Sequence, residues 1–433
     1  MIKLLRVLLT MVFLMSFAKF SFATATQVDA LIELLIEKGT ITGAEGIKLK
    51  GEIASDEKAL REEAMKQSLP KWVQDMKWKG DLRVRYQNER RDTTNSRHRG
   101  RIRMRLGVET NVNEKSTVAV GIATGAGDPR STNETFENSF EKSDIRLDYA
   151  YFKYMPAPWA SGMIGKVVQP FWVAKDLVFD SDITYDGYSV NLSKKMMGEK
   201  LEPYFNTGIF IIDENNASSA APFLNEDPYM YVIQGGARIK PTQNTSLNLA
   251  GSLFNVENLR NWPKLTYTAT TNSGLTSAAT STYRYDYDMI VLGSEFAFAN
   301  PLSFLDLPEM GVDELAFFAE YVKNPRAVDH DTGYLMGARI GAKKVAGPKQ
   351  WQASYNYRRL ERDAALDIFP DSDFYGGATH VQGHESTLSY GLAKNVSVDF
   401  DYYRSNKIGG EEIGVRKNAI ENLFQFDLNL KFP

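Results

Sequence analysis

The sequence contains no cysteine among its 433 residues, and this absence excludes several classes of protein at once. Disulfide scaffolds, thiolate zinc sites, iron–sulfur clusters and cysteine nucleophiles all need that residue. Long apolar runs are also scarce: the mean hydropathy is −0.34, and the longest such run covers about residues 4–18. Because a spanning helix needs about 20 apolar residues, a helical multi-span membrane protein is excluded as well.

The sequence also lacks a basic excess, since 51 lysines and arginines stand against 54 acidic residues. Nucleic-acid-binding domains usually show such an excess, so no nucleic-acid partner is expected. Histidine is rare: His98 and His330 fall in predicted loops, while His380 and His384 lie in a glycine-containing loop or strand. A four-residue spacing holds a metal on a helix, which this pair does not form. We therefore expect no metal, no cofactor and no catalytic residue.

The first 25 residues have the three parts of an export signal. Lys3 and Arg6 give a basic start, residues 7–18 are apolar, and Ala23-Thr-Ala25 offers a small-x-small cleavage site. The apolar stretch is too short for a membrane anchor. Cleavage removes three basic residues and no acidic one, so the net charge falls from −3 to −6. The sequence predicts export to the envelope of a Gram-negative-type bacterium.

Residues 26–75 have a helical pattern. Apolar residues from Val28 to Leu35 recur at spacings of three and four, which places them on one helix face. Thr42 and Glu45 have the spacing of a capping box that opens a second, highly charged helix ending before Pro70. Such a segment is either a small packing or trimerising element or a solvated spacer. Nothing in its residues suggests chemistry.

From about residue 76 to the end of the sequence the hydrophobic period is 2, which is typical of β-strands. Arginines occupy alternate positions in two neighbouring segments, and apolar residues occupy the positions between them. The basic set is Arg83, Arg85, Arg99, Arg101, Arg103 and Arg105. Each of these strands therefore has one guanidinium face and one apolar face.

The strand pattern predicts an all-β fold, a transmembrane antiparallel up-and-down barrel of about 16 strands over residues 76–433. The candidate strands are centred near residues 84, 105, 120, 148, 165, 189, 207, 234, 250, 292, 318, 338, 355, 387, 400 and 426. They are long enough to cross a bilayer at a tilt, and short connections alternate with long ones. An even strand number places both chain ends on the periplasmic side. Tyrosines at 149–154 and 283–287 suggest aromatic girdles at the two lipid–water interfaces.

The last strand carries the most specific signal. Bulky residues alternate with polar ones up to the penultimate position, and they are Phe424, Phe426, Leu428, Leu430 and Phe432. This pattern resembles the terminal signature of bacterial outer-membrane proteins, which implies recognition by the barrel-insertion machinery. An ordinary edge strand with such an open apolar face would be prone to aggregation.

Two segments resemble the bacterial family of putative porins. One runs from Gly165-Lys166 through Gln-Pro170-Phe171-Trp172 to Asp182, and the other runs from Asp371 through Gly376-Gly377 to Tyr390. With the helical leader and the terminal strand, the resemblance extends over most of the chain. It implies a general outer-membrane pore, a homotrimer without a cofactor, through which small polar solutes or ions diffuse passively.

A barrel of this size is wide enough to leave an aqueous channel lined by the polar face of each strand. The six arginines then form a basic wall, and the segment after Phe171 is expected to fold inward opposite it. The acidic candidates for this constriction are Asp148, Asp176, Asp180 and Asp182. Opposed charges create a transverse field, and rings of arginine favour anions. Alternatively, the arginines pair with Glu89, Glu109 and Asp148 and only stiffen the wall.

Two other functions stay open. The barrel is either an anchoring or adhesin element of the outer membrane, using the helical leader, or an outer-membrane lipid hydrolase that uses a serine and a histidine. The second is less favoured, because neither a Gly-x-Ser-x-Gly motif nor a phosphate-binding loop is present.

Overall fold

The computed structural model describes residues 25–92, 94–214, 226–276, 278, 281–303, 311–409 and 419–432. Apart from Ala25, the predicted export signal lies outside these residues. The chain divides into two compact units, one ending at Gln74 and one beginning at Asp75. None of the described helices combines the length and the apolar character that a membrane-crossing helix requires.

The first unit consists of helices α1 (Ala25–Glu37), α2 (Gly43–Ser68) and α3 (Lys71–Gln74). The predicted capping box is confirmed: the Thr42 amide donates to Glu45 Oε2 at 2.8 Å, and the Glu45 amide donates to Thr42 Oγ1 at 3.3 Å. Helices α1 and α2 pack closely, since a Cβ atom at Gly46 would lie 2.5 Å from Ile36 Cδ1. Glycine at position 46 therefore permits the two helices to approach.

The second unit is one antiparallel sheet, whose described residues form sixteen long strands and one two-residue strand. The first eight are β1 (Lys77–Arg91), β2 (Arg97–Asn113), β3 (Ser116–Thr124), β4 (Glu134–Thr135), β5 (Ile145–Ala157), β6 (Ala160–Val167), β7 (Tyr185–Ser193) and β8 (Leu201–Ile211). The others are β9 (Tyr229–Ile239), β10 (Thr245–Glu257), β11 (Tyr287–Ala299), β12 (Glu314–Lys323), β13 (Thr332–Gly341), β14 (Trp351–Leu360), β15 (Val381–Ala393), β16 (Val396–Lys407) and β17 (Ile420–Phe432).

The sheet closes on itself, because β17 pairs with both β16 and β1, with Phe426 opposite Phe400 and Tyr86. The short strand β4 pairs only with β2 and lies outside the circuit of long strands. All sixteen predicted strand centres fall within the sixteen long strands, so the predicted closed barrel is confirmed. Closure leaves no open edge, and every long strand has two hydrogen-bonded neighbours.

The connections differ at the two ends of the barrel. At one end, which we call the short-turn end, β15 and β16 are joined by residues 394–395, and β2 and β3 by residues 114–115. At the opposite, long-loop end, residues 168–184, 258–286 and 361–380 connect successive strands. These three connections are called the infolded loops below, because many of their side chains are buried inside the barrel.

The infolded loops and the strands beside them share one apolar cluster. Phe179 is 1% exposed, and its ring centroid lies 4.7 Å from that of Phe254 on β10 and 5.0 Å from that of Phe369. The other loop members include Phe171, Leu177, Val178, Leu259, Trp262, Leu265, Tyr283, Ala364, Ala365 and Leu366. The inward strand residues that they contact include Val232, Val256, Met289, Val291, Phe318 and Val322.

Buried hydrogen bonds join the infolded loops to one another. The Asp367 carboxylate accepts from Thr268 Oγ1 at 2.5 Å and from the Thr271 amide at 2.6 Å. Asp180 accepts from the Ser372 amide at 2.9 Å, which connects loop 168–184 to loop 361–380. Because buried polar groups are costly when unpaired, these bonds help to select one arrangement of the three loops.

The structure corrects two expectations about strand faces. The inward face was predicted to be polar throughout, but beside the infolded loops it is mostly apolar, with Gln234 and Glu320 among the buried polar exceptions. The predicted tyrosine girdles are wrong for Tyr149, Tyr151, Tyr283 and Tyr287, which are buried inside the barrel, whereas Tyr154 is exposed outside. The reason is the same in both cases. Loops enter the barrel, and their apolar side chains cover residues that the sequence pattern predicted to face water or lipid.

Candidate functional site

The six predicted wall arginines lie side by side on the inward faces of β1 and β2, and we call them the arginine ladder (Arg83, Arg85, Arg99, Arg101, Arg103 and Arg105). The register places Arg83 opposite Arg103 and Arg85 opposite Arg101. Like charges directly opposite each other destabilise a sheet. The ladder therefore requires acidic partners beside it.

Two of these partners come from the strands. Asp427 on β17 accepts two hydrogen bonds from the Arg85 guanidinium, at 2.7 and 2.8 Å, and its Oδ2 lies 3.4 Å from Arg83 Nη1. Asp81 on β1 lies 2.8 Å from Arg103 Nη2 and 2.9 Å from Arg105 Nε. Paired geometry of this kind suits the planar guanidinium fork.

Two further partners come from the infolded loops. Asp182 Oδ1 lies 3.1 Å from Arg105 Nη1, and Asp373 Oδ2 lies 2.9 Å from Arg85 Nη1. Although burial alone would raise the pKa of Asp373, the charge of Arg85 lowers it to about 2. Asp373 is therefore ionised at neutral pH, and loop acids oppose the ladder across the interior.

Asp180 and Asp176, also predicted to face the ladder, have other positions. Asp180 holds two loops together, and burial and the nearby charge of Asp182 raise its pKa to about 7. Asp176 lies 2.8 Å from Arg358 Nη2 and 3.0 Å from Lys175 Nζ, on the side of the barrel formed by β14 and β15. Only Asp182 of the three predicted loop acids forms an ion pair with the ladder in the described part of the chain.

Asp176, Asp371 and Glu385 bring carboxylate oxygens within 4.8 Å of one another. Two cations already fill this cluster, because Arg358 bonds to Glu385 and contacts Asp176, and Lys175 Nζ lies 3.2 Å from Glu385 Oε1. The cluster is therefore a buried ion-pair network, in which Arg358 and Lys175 neutralise the carboxylates.

The alternative pairing predicted for the ladder is found only in part. Glu89 lies 3.2 Å from Arg99 Nη2, whereas Glu109 and Asp148 form no salt bridge with a described arginine. Asp148 instead lines a cavity of about 540 Å³ at the short-turn end, together with Asp81, Arg105 and Asp182.

A second cavity, of about 410 Å³, lies at the long-loop end of the same wall. Its lining includes Arg97, Arg99, Arg101, Arg130 and Asp373. Between the two cavities lie Arg83, Arg85 and Arg103, and the Arg83 guanidinium donates to Asn133 Oδ1 at 2.5 Å. The charged side of the interior thus has two cavities separated by a hydrogen-bonded segment of the ladder, Arg83, Arg85 and Arg103, which we call the constriction.

Sequence reasoning missed four residues of this arrangement: Asp81, Asn133, Asp373 and Asp427. The direction of Asp81 was predictable, because it shares the alternate positions of Arg83 and Arg85 on β1. Asp427 carried a usable signal, because it alternates with the outward residues of the last strand and so had to face inward. Asn133 and Asp373 lie in loops, where no period indicates direction, and only the folded loops bring them to the arginines.

The histidines are distributed over the barrel. His98 lies in β2 and not in a loop as predicted, and its Nδ1 lies 2.7 Å from the Tyr86 hydroxyl. His384 in β15 has the same relation to Tyr355, also at 2.7 Å. His330 and His380 face each other in loops with ring centroids 5.1 Å apart.

The last strand presents Phe424, Phe426 and Phe432 to the exterior, where each is at least 40% exposed. Its polar residues line the interior beside the ladder, as Asp427 shows. The fold and this charged interior define a β-barrel of the outer-membrane channel class, with an apolar outside and a route bounded by charges inside.

The chain belongs to the family described as "Putative porin", whose model matches residues 90–290 and 302–432. No curated protein sequence matches the chain. This membership and the barrel make the protein an outer-membrane porin.

Several solved structures are similar to the chain at low sequence identity. OprB of Pseudomonas putida has a TM-score of 0.50 and 10% identity, covering 83% of this chain and 94% of its own. The trimer form of OmpT, an outer membrane protein of Vibrio cholerae, has a TM-score of 0.45 and 10% identity, covering 82% and 99%. A triple mutant of Rhodopseudomonas blastica porin has a TM-score of 0.42 and 8% identity, covering 82% and 100%.

Proposed function

We propose that this porin conducts small anionic and polar solutes by passive diffusion along the arginine ladder, with a preference for anions. The observation that carries this proposal is the charged constriction between two cavities of about 540 and 410 Å³ on one wall of the barrel. The opposite side of the interior is packed with apolar loop residues. Water and ions therefore have a polar route beside β1, β2 and β17.

The arrangement of charge supports an anion preference. Arginines lie on the wall, and Asp182 and Asp373 face them from the loops, so a solute passes through a transverse field. The ladder has six guanidinium groups, and five carboxylates lie within 4 Å of them: Asp81, Glu89, Asp182, Asp373 and Asp427. Arg101 is therefore left without a paired carboxylate among the described residues, and an unpaired cation beside the route favours anions.

Reversal potentials test this proposal. Purified protein in a planar bilayer with a tenfold gradient of potassium chloride should give a potential of the sign for anion selectivity. The double substitution Arg101→Ala and Arg103→Ala should move that potential toward cation selectivity. An unchanged, cation-selective potential in both proteins would contradict the anion preference.

A control that removes a positive charge away from the ladder separates a local effect on selectivity from a general effect of lost charge. Arg326 lies in the loop between β12 and β13 and pairs with Asp288 and Glu257, far along the sheet from the ladder. Arg326→Gln should leave the reversal potential as in the unsubstituted protein. Heat-modifiable gel mobility checks that every variant is a folded barrel.

Vesicle swelling separates a pore from an anchoring or adhesin barrel. Vesicles with the protein should swell in isotonic solutions of small neutral sugars, whereas an anchoring barrel admits none. A barrel that neither swells vesicles nor conducts ions would support the anchoring role. The same preparation, assayed for lipid hydrolysis, is expected to show no turnover.

The remaining parts of the proposal concern assembly. Residues 1–25 are removed as a signal peptide, residues 26–75 form a periplasmic helical segment, and both chain ends lie in the periplasm. The outward residues of the last strand direct insertion by the barrel-insertion machinery. The protein forms a homotrimer, for which three equal conductance steps per insertion are the expected signature.

A further inference from the structure

We propose that the cavity at the long-loop end is a binding site for the carboxylate group of a small anionic solute, with Arg101 as its main ligand. This inference rests on the proposed anion route and adds a position on that route at which an anion binds. It also gives the chemical class of the solute that binds there.

The first argument is a charge count over the arginine ladder. Arg83 and Arg85 share Asp427 and Asp373, Arg103 and Arg105 share Asp81 and Asp182, and Arg99 has Glu89. Arg101 is the member that forms no salt bridge with any described carboxylate. The ion-pair partners of the ladder thus leave one guanidinium, that of Arg101, able to take a carboxylate from a solute.

The second argument is an unsatisfied donor. The hydrogen bond of the Arg101 side chain among the described residues is a long one, from Nη1 to Gln87 Oε1 at 3.4 Å. Its Nε atom is buried without a hydrogen-bond partner, and so is the Nε atom of Arg99. Buried polar groups are nearly always paired with protein, water or a ligand. These two N–H groups therefore have a hydrogen bond to donate to an acceptor from outside the protein.

The third argument is the shape and composition of the cavity. Its volume of about 410 Å³ lies within the range of small-molecule sites. The acids in its lining already have partners: Glu421 bonds to Arg91, Asp128 to Arg130, and Asp373 to Arg85. Arg97 at the mouth forms no ion pair with a described residue, and it lies on the same strand face as Arg101.

The chemistry of the donors selects a carboxylate. A guanidinium presents parallel N–H groups that match the two oxygens of a carboxylate, and a single unmatched cation in the ladder calls for a single negative charge. Arg97, four residues toward the long-loop end, adds attraction at the mouth. A monocarboxylate bound at Arg101 gives this arginine the kind of partner that the other five members of the ladder already have.

Benzoate tests the proposal, and benzamide is its neutral control of the same shape. Sodium benzoate added on either side of a planar bilayer should reduce the chloride current through the full-length protein in a saturable way, whereas benzamide should not. Arg101→Gln should raise the half-blocking benzoate concentration at least tenfold, which corresponds to about 1.4 kcal/mol. Arg101→Lys, which keeps the charge but loses the fork, should have an intermediate effect, and Arg326→Gln should have none.

Calorimetry makes the result independent of conduction. Titrating sodium benzoate into the detergent-solubilised protein should show binding that Arg101→Gln weakens by the same factor. Equal block or binding in the unsubstituted protein and Arg101→Gln would overturn the site, as would block by benzamide. A barrel that conducts nothing would contradict the proposed function, and the titration would still decide the site. Weak benzoate effects shared by all variants would mean nonspecific attraction only.

Discussion

The interior of this barrel has two unlike sides built on the same alternating sheet. Beside β9 to β13 most of the inward residues are apolar, and they pack against the infolded loops, so that Phe254, Val256 and Leu366 are fully buried. Beside β17, β1 and β2 the inward residues are charged, and the space next to them holds two cavities. Side chains therefore fill the first side, and the second side has the space through which solutes are proposed to pass.

The difference shows that packing on the apolar side of the interior holds the acidic loop residues of the charged side in place. Asp182 and Asp373 belong to loops whose neighbouring residues, such as Phe179 and Phe369, are anchored in the apolar cluster. Burial of large apolar side chains provides the stabilisation, and hydrogen bonds between loops select the arrangement. The carboxylates are thereby held 2.9 to 3.1 Å from arginines on the far wall.

The largest effect is expected from a substitution that disrupts packing on the apolar side. Phe179→Ala removes a ring that contacts Phe171, Phe254 and Phe369, and such truncations cost about 3–5 kcal/mol. We expect a lower free energy of unfolding in urea and a higher single-channel conductance, because the loops lose their anchor. Phe140→Ala, at a fully exposed position, is the matched control and should change neither quantity. A Phe179→Ala protein with unchanged conductance would show that packing does not hold the loops in place.

The next effect acts on the charged side. Asp427→Asn takes one negative charge from the Arg85 fork and weakens two charged hydrogen bonds, at a cost of about 1.5–3 kcal/mol. The reversal potential should shift further toward anion selectivity, because Arg83 and Arg85 lose a counter-charge. A shift toward cations would contradict the proposed role of the ladder.

A smaller effect concerns pH and the contact between the two sides. The folded protein raises the pKa of Asp180 from 3.8 to about 7, so the folded state holds a proton that the unfolded state releases. The contribution of the protonated Asp180 carboxyl to the free energy of unfolding is therefore fully present below pH 3.8, and it is lost as the pH rises through 7. The charged groups that raise this pKa are Asp182 and Asp373.

The temperature at which the barrel changes its gel mobility measures this dependence. It should be lower at pH 8 than at pH 5 in the unsubstituted protein. Asp180→Asn mimics the protonated carboxyl and should flatten the difference. An equal slope in both proteins would assign the pH dependence to other groups.

The smallest effect is expected from a charge outside the ladder. Arg238 on β9 lies 2.8 Å from Glu202, and both are partly exposed at the short-turn end. Exposed pairs of this kind contribute about 0–1 kcal/mol. Arg238→Gln should therefore change the reversal potential less than Arg101→Gln does. A larger change would place the route on the packed side.

Strand number and direction could be predicted from the sequence because the period-2 pattern is local. It identified sixteen strands, and it placed Arg83 to Arg105 on one face and Phe424 to Phe432 on the other. A local signal for the packed side was also present. Met289-Ile-Val-Leu292 is a continuous apolar run, as expected for a strand with a packed interior on one face and lipid on the other.

The sequence by itself determined the closed barrel, the arginine face and the outward residues of the last strand. These features follow from backbone geometry, which repeats every two residues. The tertiary structure alone decided which loops enter the barrel, that Tyr283 and Tyr287 face inward, and that Asp373 reaches Arg85. Such contacts join residues hundreds of positions apart, and they depend on how side chains fill a shared volume, which no local period encodes.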